Sequence, residues 1–87
     1  MSSITIIGAG TMGTAIAGLA LAAGSEVQVL TREATDLDPR VSAGTVGDEL
    51  KGDVVVLALP YGAVAEVVDL YGDRLDGKVV VDITNPL

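Results

Sequence analysis

The 87-residue chain contains no cysteine and no histidine. Disulfides are thereby excluded, as are zinc sites built from Cys and His. The same gap removes any cysteine nucleophile or histidine general base that this chain could supply. No catalytic side chain and no metal-ligand set is therefore assigned from the sequence. Phenylalanine and tryptophan are missing as well, and only two tyrosines are present. Since 49% of the residues are hydrophobic, the core has to be aliphatic, and the chain is too apolar to be disordered. Positive charge is scarce: five Lys and Arg stand against twelve Asp and Glu, for a net charge of −7. Such a surface repels nucleic-acid phosphates and anionic membranes, so neither is expected as a partner. No basic segment precedes the first apolar run, and no apolar run approaches the length of a membrane span. With the lack of cysteine, this predicts a cytoplasmic protein.

What is present is an alternation of strand and helix signals. Ser3–Ile7 (SITII) is β-branched and unbroken, as a strand buried on both faces should be. Residues 11–23 predict a helix whose buried face carries Ile16, Leu19, Ala20 and Ala23, with Gly24 as its C-terminal glycine. Residues 26–30 (EVQVL) predict a second strand. The signal weakens after Thr31; 41–46 suggest a short third strand and 48–51 a single helical turn. Residues 53–59 (DVVVLAL) predict a buried strand. Residues 62–75 predict a helix with an apolar stripe of Val64, Val67, Val68 and Tyr71, and with Glu66, Asp69 and Asp73 off it. Residues 78–83 (KVVVDI) predict the last strand. Strands of this kind alternating with helices imply parallel βαβ units. The expected fold is an α/β Rossmann-type doubly wound parallel sheet of about four to five strands, in the order 3-2-1-4-5.

The first strand runs directly into G-A-G-T-M-G, residues 8–13. Glycine makes up 11 of the 87 residues, so the spacing alone says little. Its context says more: the motif leaves a strand, opens a helix and reaches a second strand within about thirty residues, as a dinucleotide fingerprint requires. Gly8 permits the sharp turn, Gly10 lets a pyrophosphate approach the backbone, and Gly13 lets the helix pack against the strand. Thr14, Ala15, Ala17 and Gly18 are expected to extend that packing. The N–H groups around Thr11, Met12 and Gly13 face the phosphates at the positive end of the helix dipole, and the Thr11 hydroxyl adds a donor or caps the helix.

The choice between NAD and NADP is made about twenty residues later, at the end of the second strand. An NAD site places Asp or Glu there to accept from the ribose 2′-OH. Here the sequence reads Leu30-Thr31-Arg32. A carboxylate would repel a 2′-phosphate, whereas Arg32 can grip it with forked, charge-assisted bonds. NADP is therefore the expected cofactor. Glu33 would favour NAD if the register slipped by two residues.

These residues carry a family resemblance that runs through nearly the whole chain and is weakest between Glu33 and Asp48. ITIIGAGTMGTAIA, LTR, DVVVLALPYGAVAEVV and KVVVDITNPL together resemble the N-terminal half of the coenzyme F420-dependent NADP oxidoreductases and their NADPH-dependent reductase relatives. The resemblance implies hydride transfer between NADP and coenzyme F420, or a similar small acceptor, with the cofactors holding the reactive carbons. It implies that Thr31 and Arg32 take the 2′-phosphate, that Leu59, Pro60 and Tyr61 border the nucleotide, and that the loop holding Asn85 approaches the nicotinamide. It also implies that residues 1–87 are the dinucleotide-binding, N-terminal portion of a longer reductase, with a homodimer as a possible assembly. The glycine motif is shared with pyrroline-5-carboxylate reductase and 3-hydroxyacid dehydrogenases, whose front ends remain alternatives. A non-enzymatic nucleotide sensor is a third, and Thr31-Arg32 argues against it.

Overall fold

A computed structural model describes residues 3–8, 11–32 and 39–83, and for Thr11, Met12 and Tyr61 the backbone alone. The elements are β1 (Ser3–Ile7), α1 (Thr11–Ala22), β2 (Glu26–Thr31), β3 (Ser42–Thr45), β4 (Val54–Leu57), α2 (Tyr61–Tyr71), a 3₁₀ segment (Gly72–Leu75) and β5 (Val79–Asp82). Five parallel strands form one sheet in the order β3-β2-β1-β4-β5, the order expected from the sequence. Successive residues of the central strands point to opposite faces. Ile6, Val27, Val29 and Val56 pack on α1 through Ala17, while Ile7, Leu30, Val55 and Leu57 pack on α2 through Val67 and Tyr71. Among the described residues no helix is long and apolar enough to cross a membrane.

Helix α1 ends as its glycine predicts. Gly24 has φ +84, its N–H bonds the Leu21 carbonyl at 3.1 Å and the Ser25 N–H bonds the Ala20 carbonyl at 3.0 Å, a Schellman closure. Its rotation is not the expected one. Leu19 is 73% exposed and Ala23 is exposed too, whereas Gly13 and Ala17 are buried and Ile16, Ala20 and Leu21 are partly so. The helix carries no charge to mark a solvent face (TMGTAIAGLALA), so its periodicity holds no phase. The contact of Gly13 with the end of β1, described below, sets the rotation instead.

Two further expectations are corrected. Helix α2 stops at Tyr71 and tightens into the 3₁₀ segment at Gly72–Leu75, and Val68 lies on its exposed side. Residues 48–51 form no helical turn, because side chains from elsewhere take up their backbone groups. The Tyr71 hydroxyl donates to the Asp48 carbonyl (2.9 Å) and accepts from the Gly47 N–H (2.8 Å). Gln28 Nε2 donates to the Glu49 carbonyl and Gln28 Oε1 accepts from the Lys51 N–H, both at 2.9 Å. Gln28 is itself held by Thr5, its β1 neighbour in register, whose hydroxyl donates to Oε1 at 2.7 Å and accepts from the Gly52 N–H at 2.9 Å. β5 lies at the sheet edge, as the expected order places it: Val79, Val80 and Val81 are 61%, 43% and 39% exposed, and none of them joins either core cluster.

Candidate functional site

The strand register puts Ile7, Leu30 and Leu57 level across the three central strands, with Asp82 level with Leu57. The next residues, Gly8, Thr31, Ala58 and Ile83, form the C-terminal rim. Three backbone hydrogen bonds tie it together: Gly8 N–H to the Leu30 carbonyl (2.8 Å), Ala58 N–H to Ile7 (2.9 Å) and Ile83 N–H to Leu57 (3.1 Å). The strand order reverses between β1 and β4, since β1 connects outward to β2 while β4 lies on its other side. In open α/β sheets this switch point at the carboxyl ends is where ligands bind.

The glycine turn sits at that point. Gly8 has φ +114, and a Cβ there would collide with the Ala58 carbonyl oxygen. A Cβ on Gly13 would lie 2.7 Å from the Gly8 carbonyl oxygen and 3.2 Å from Ala58 Cβ. Only two glycines allow α1 to start directly on the end of β1 against β4. Since α1 begins at Thr11, its leading N–H groups, which an α-helix does not bond internally, lie at the rim, where they suit an oxyanion. The packing beyond Gly13 is narrower than expected: Ala17 is buried, but Thr14, Ala15 and Gly18 are exposed.

Thr31 is buried at the end of β2, and its carbonyl accepts from the Val46 N–H at 2.9 Å. Arg32, the next residue, is exposed. Its Nη2 lies 2.6 Å from Glu66 Oε2 in an ion pair whose side chains are 56% and 70% exposed. Leu59 is buried in the α2-side core, with its Cδ2 beside Gly8. Pro60 is exposed and precedes α2 with φ −58 and ψ 147, and Tyr61 opens that helix. Gly10, Glu33 and Asn85 lie outside the described residues. The structure thus brings Gly8, Gly13, Thr31, Arg32, Leu59 and Pro60 to one edge of the sheet, together with the first turn of α1.

Glu66 is the residue at this edge that sequence reasoning missed. Nothing in its position off the apolar stripe signals a partner; the contact depends on how α2 crosses the sheet. The Thr5–Gln28 pair left a better trace, one polar residue inside each of two apolar strands. A cavity of about 380 Å³ opens at the opposite edge, between Ser3, Glu26, Ser42, Arg40 and Lys51, and has no rim residue in its lining.

A parallel sheet of this order, with a glycine turn and a helix start packed at its switch point, defines a Rossmann-type α/β domain. The chain belongs to the family described as NADP oxidoreductase, coenzyme F420-dependent, whose model matches residues 3–86. Among solved structures, a candidate F420-dependent NADP-reductase from Arthrobacter sp. FB24 is similar at TM-score 0.87 and 29% identity, covering 100% of this chain and 46% of its own. An imine reductase from Myxococcus stipitatus in complex with NADP+ is similar at TM-score 0.79 and 27% identity, covering 94% of this chain and 32% of its own. The pyrroline carboxylate reductase of Plasmodium falciparum, with NADP bound, shares the fold at TM-score 0.80 and 21% identity, covering 99% and 34%. This chain therefore spans less than half the length of each. No curated protein matches it.

Proposed function

We propose that the chain is the NADP(H)-binding domain of an oxidoreductase that transfers hydride between NADP and coenzyme F420 or a similar small acceptor. One observation carries this reading: at the switch point the residue after β2 is an exposed arginine, not an acid, beside a glycine turn on which α1 begins. The first-turn N–H groups of α1 suit the pyrophosphate, and Arg32 suits the 2′-phosphate. Family membership and the NADP-bound imine reductase support the same reading. The nicotinamide supplies the hydride chemistry when bound. This chain's residues would hold and orient it, with Pro60 and Tyr61 at the nucleotide's border and Asn85 toward the nicotinamide.

Calorimetric titration of the chain with NADPH and NADH tests the reading. NADPH is expected to bind at least tenfold more tightly, and Arg32→Ala to remove most of the difference. Equal affinities in the native chain would refute the NADP assignment. The acceptor is tested by anaerobic mixing of NADPH and F420 with the chain. Loss of NADPH absorbance supports F420, whereas turnover with a cyclic imine alone would favour the imine-reductase reading that the Myxococcus enzyme suggests.

A further inference from the structure

The Arg32–Glu66 pair joins elements that are not neighbours in the sheet. Arg32 follows β2, Glu66 lies in α2 beyond β4, and β1 runs between those strands. The pair therefore joins the end of β2 to the helix that packs on the Ile7 and Leu30 face of the sheet, at the same rim where the glycine turn leaves β1. Both side chains are more than half exposed, so the contact adds little to stability and is free to rearrange. The contact with Glu66 uses one terminal nitrogen, Nη2, and a guanidinium fork has further N–H donors with which to meet a second oxyanion.

We propose that Glu66 is a specificity-determining residue of this site: it competes with the nucleotide 2′-phosphate for Arg32 and so lowers the discrimination between NADPH and NADH. The proposal rests on the NADP reading given above. A 2′-phosphate brings a charge of about −1.5 to −2 near neutral pH. Sharing one guanidinium, it would come within a Debye length of the Glu66 carboxylate. The two anions repel, and the phosphate must also displace an existing partner. A 2′-hydroxyl, being neutral, meets neither cost and gains an acceptor.

The test is titration of the native chain and of Glu66→Gln with NADPH and with NADH, at low salt and at about 0.5 M KCl. Removing the charge while keeping the shape should tighten NADPH about fivefold at low salt, which is about 1 kcal/mol at about 1.4 kcal/mol per tenfold. NADH should bind no better, and the gain should shrink in high salt. Unchanged NADPH affinity, weaker NADPH binding, or an equal gain for NADH would overturn the proposal; weaker binding would mean that Glu66 positions Arg32. Failure of the NADP reading is a separate result, an absent NADPH preference in the native chain. Failure of this proposal alone leaves that native preference in place, and Glu66→Gln does not enlarge it. Both residues are exposed, so a circular dichroism melt of each variant should match the native one.

Discussion

The same substitution at two glycines of one helix should shift stability in opposite directions. Gly18 lies in α1, is exposed, and has nothing within 4 Å of an added Cβ. Alanine there gains helix propensity alone, about 0.5–1 kcal/mol. Gly13 would gain as much from propensity, but its Cβ would stand 2.7 Å from the Gly8 carbonyl oxygen. The blocking atom is backbone, in a turn wedged against β4, so no side chain can swing aside. Overpacking costs about 1–3 kcal/mol, and a backbone clash belongs at the upper end, leaving a net loss of about 2 kcal/mol. A domain of 87 residues has about 4–13 kcal/mol in all, so this is a large share. At about 4–8 °C per kcal/mol for a domain this size, Gly13→Ala should melt about 8–16 °C lower and Gly18→Ala about 4 °C higher. Far-UV circular dichroism is the suitable probe, because there is no tryptophan. If Gly13→Ala melts at or above the native temperature, the close packing of α1 on β1 is not what fixes the helix.

Tyr71→Phe removes a hydroxyl that donates to the Asp48 carbonyl and accepts from the Gly47 N–H. At about 0.5–1.5 kcal/mol per bond, urea unfolding should show a loss of about 1–3 kcal/mol, and an unshifted midpoint would mean that the loop is held by other contacts. The outer edge of β5 should make the chain self-associate. Val79 and Ile83 spend their N–H groups on β4, so Val80 turns its backbone outward, and the exposed valines lack the charges that usually blunt an edge. Sedimentation velocity should show a coefficient that rises with concentration and stops rising in Val80→Lys; a native chain that stays monomeric throughout contradicts this.

Topology was legible because it depends on composition and order. Continuous apolar runs separated by helical stretches admit parallel strands, and right-handed crossovers then leave few orders. The rim was legible for the same reason: in parallel strands every βα turn falls at one edge, so Gly8, Thr31 and Pro60 had to meet. What failed depends on phase or on long-range contact. The apolar, uncharged surface of α1 offers no solvent side to read. The segment after β3 has helix-compatible residues, yet Gln28 and Tyr71 claim its backbone from 21 and 23 positions away. The valines of β5 look like those of β4, and it is the sheet order, itself legible, that separates the inner strand from the edge one. Glu66 reaches Arg32 across 34 positions, a distance at which no local pattern carries information.

The site residues divide by what the fold already explains. Gly8 would be required with or without a nucleotide, since the Ala58 carbonyl occupies the space of its side chain. Gly13 is required by Gly8 in turn, and buried Thr31 ties the end of β2 to β3 through its carbonyl. These positions speak first for the architecture, and a loss of binding on mutating them would be confounded with a loss of folding. Arg32 is different. It is exposed, it packs against no core cluster, and its partner is another exposed charge. The fold gives only a weak reason for an arginine at the end of β2, since an ion pair this exposed adds little to stability. A ligand with a charged 2′ substituent gives a stronger one. The discriminating measurements therefore belong at Arg32 and Glu66, where affinity can change while the melting temperature stays where it is.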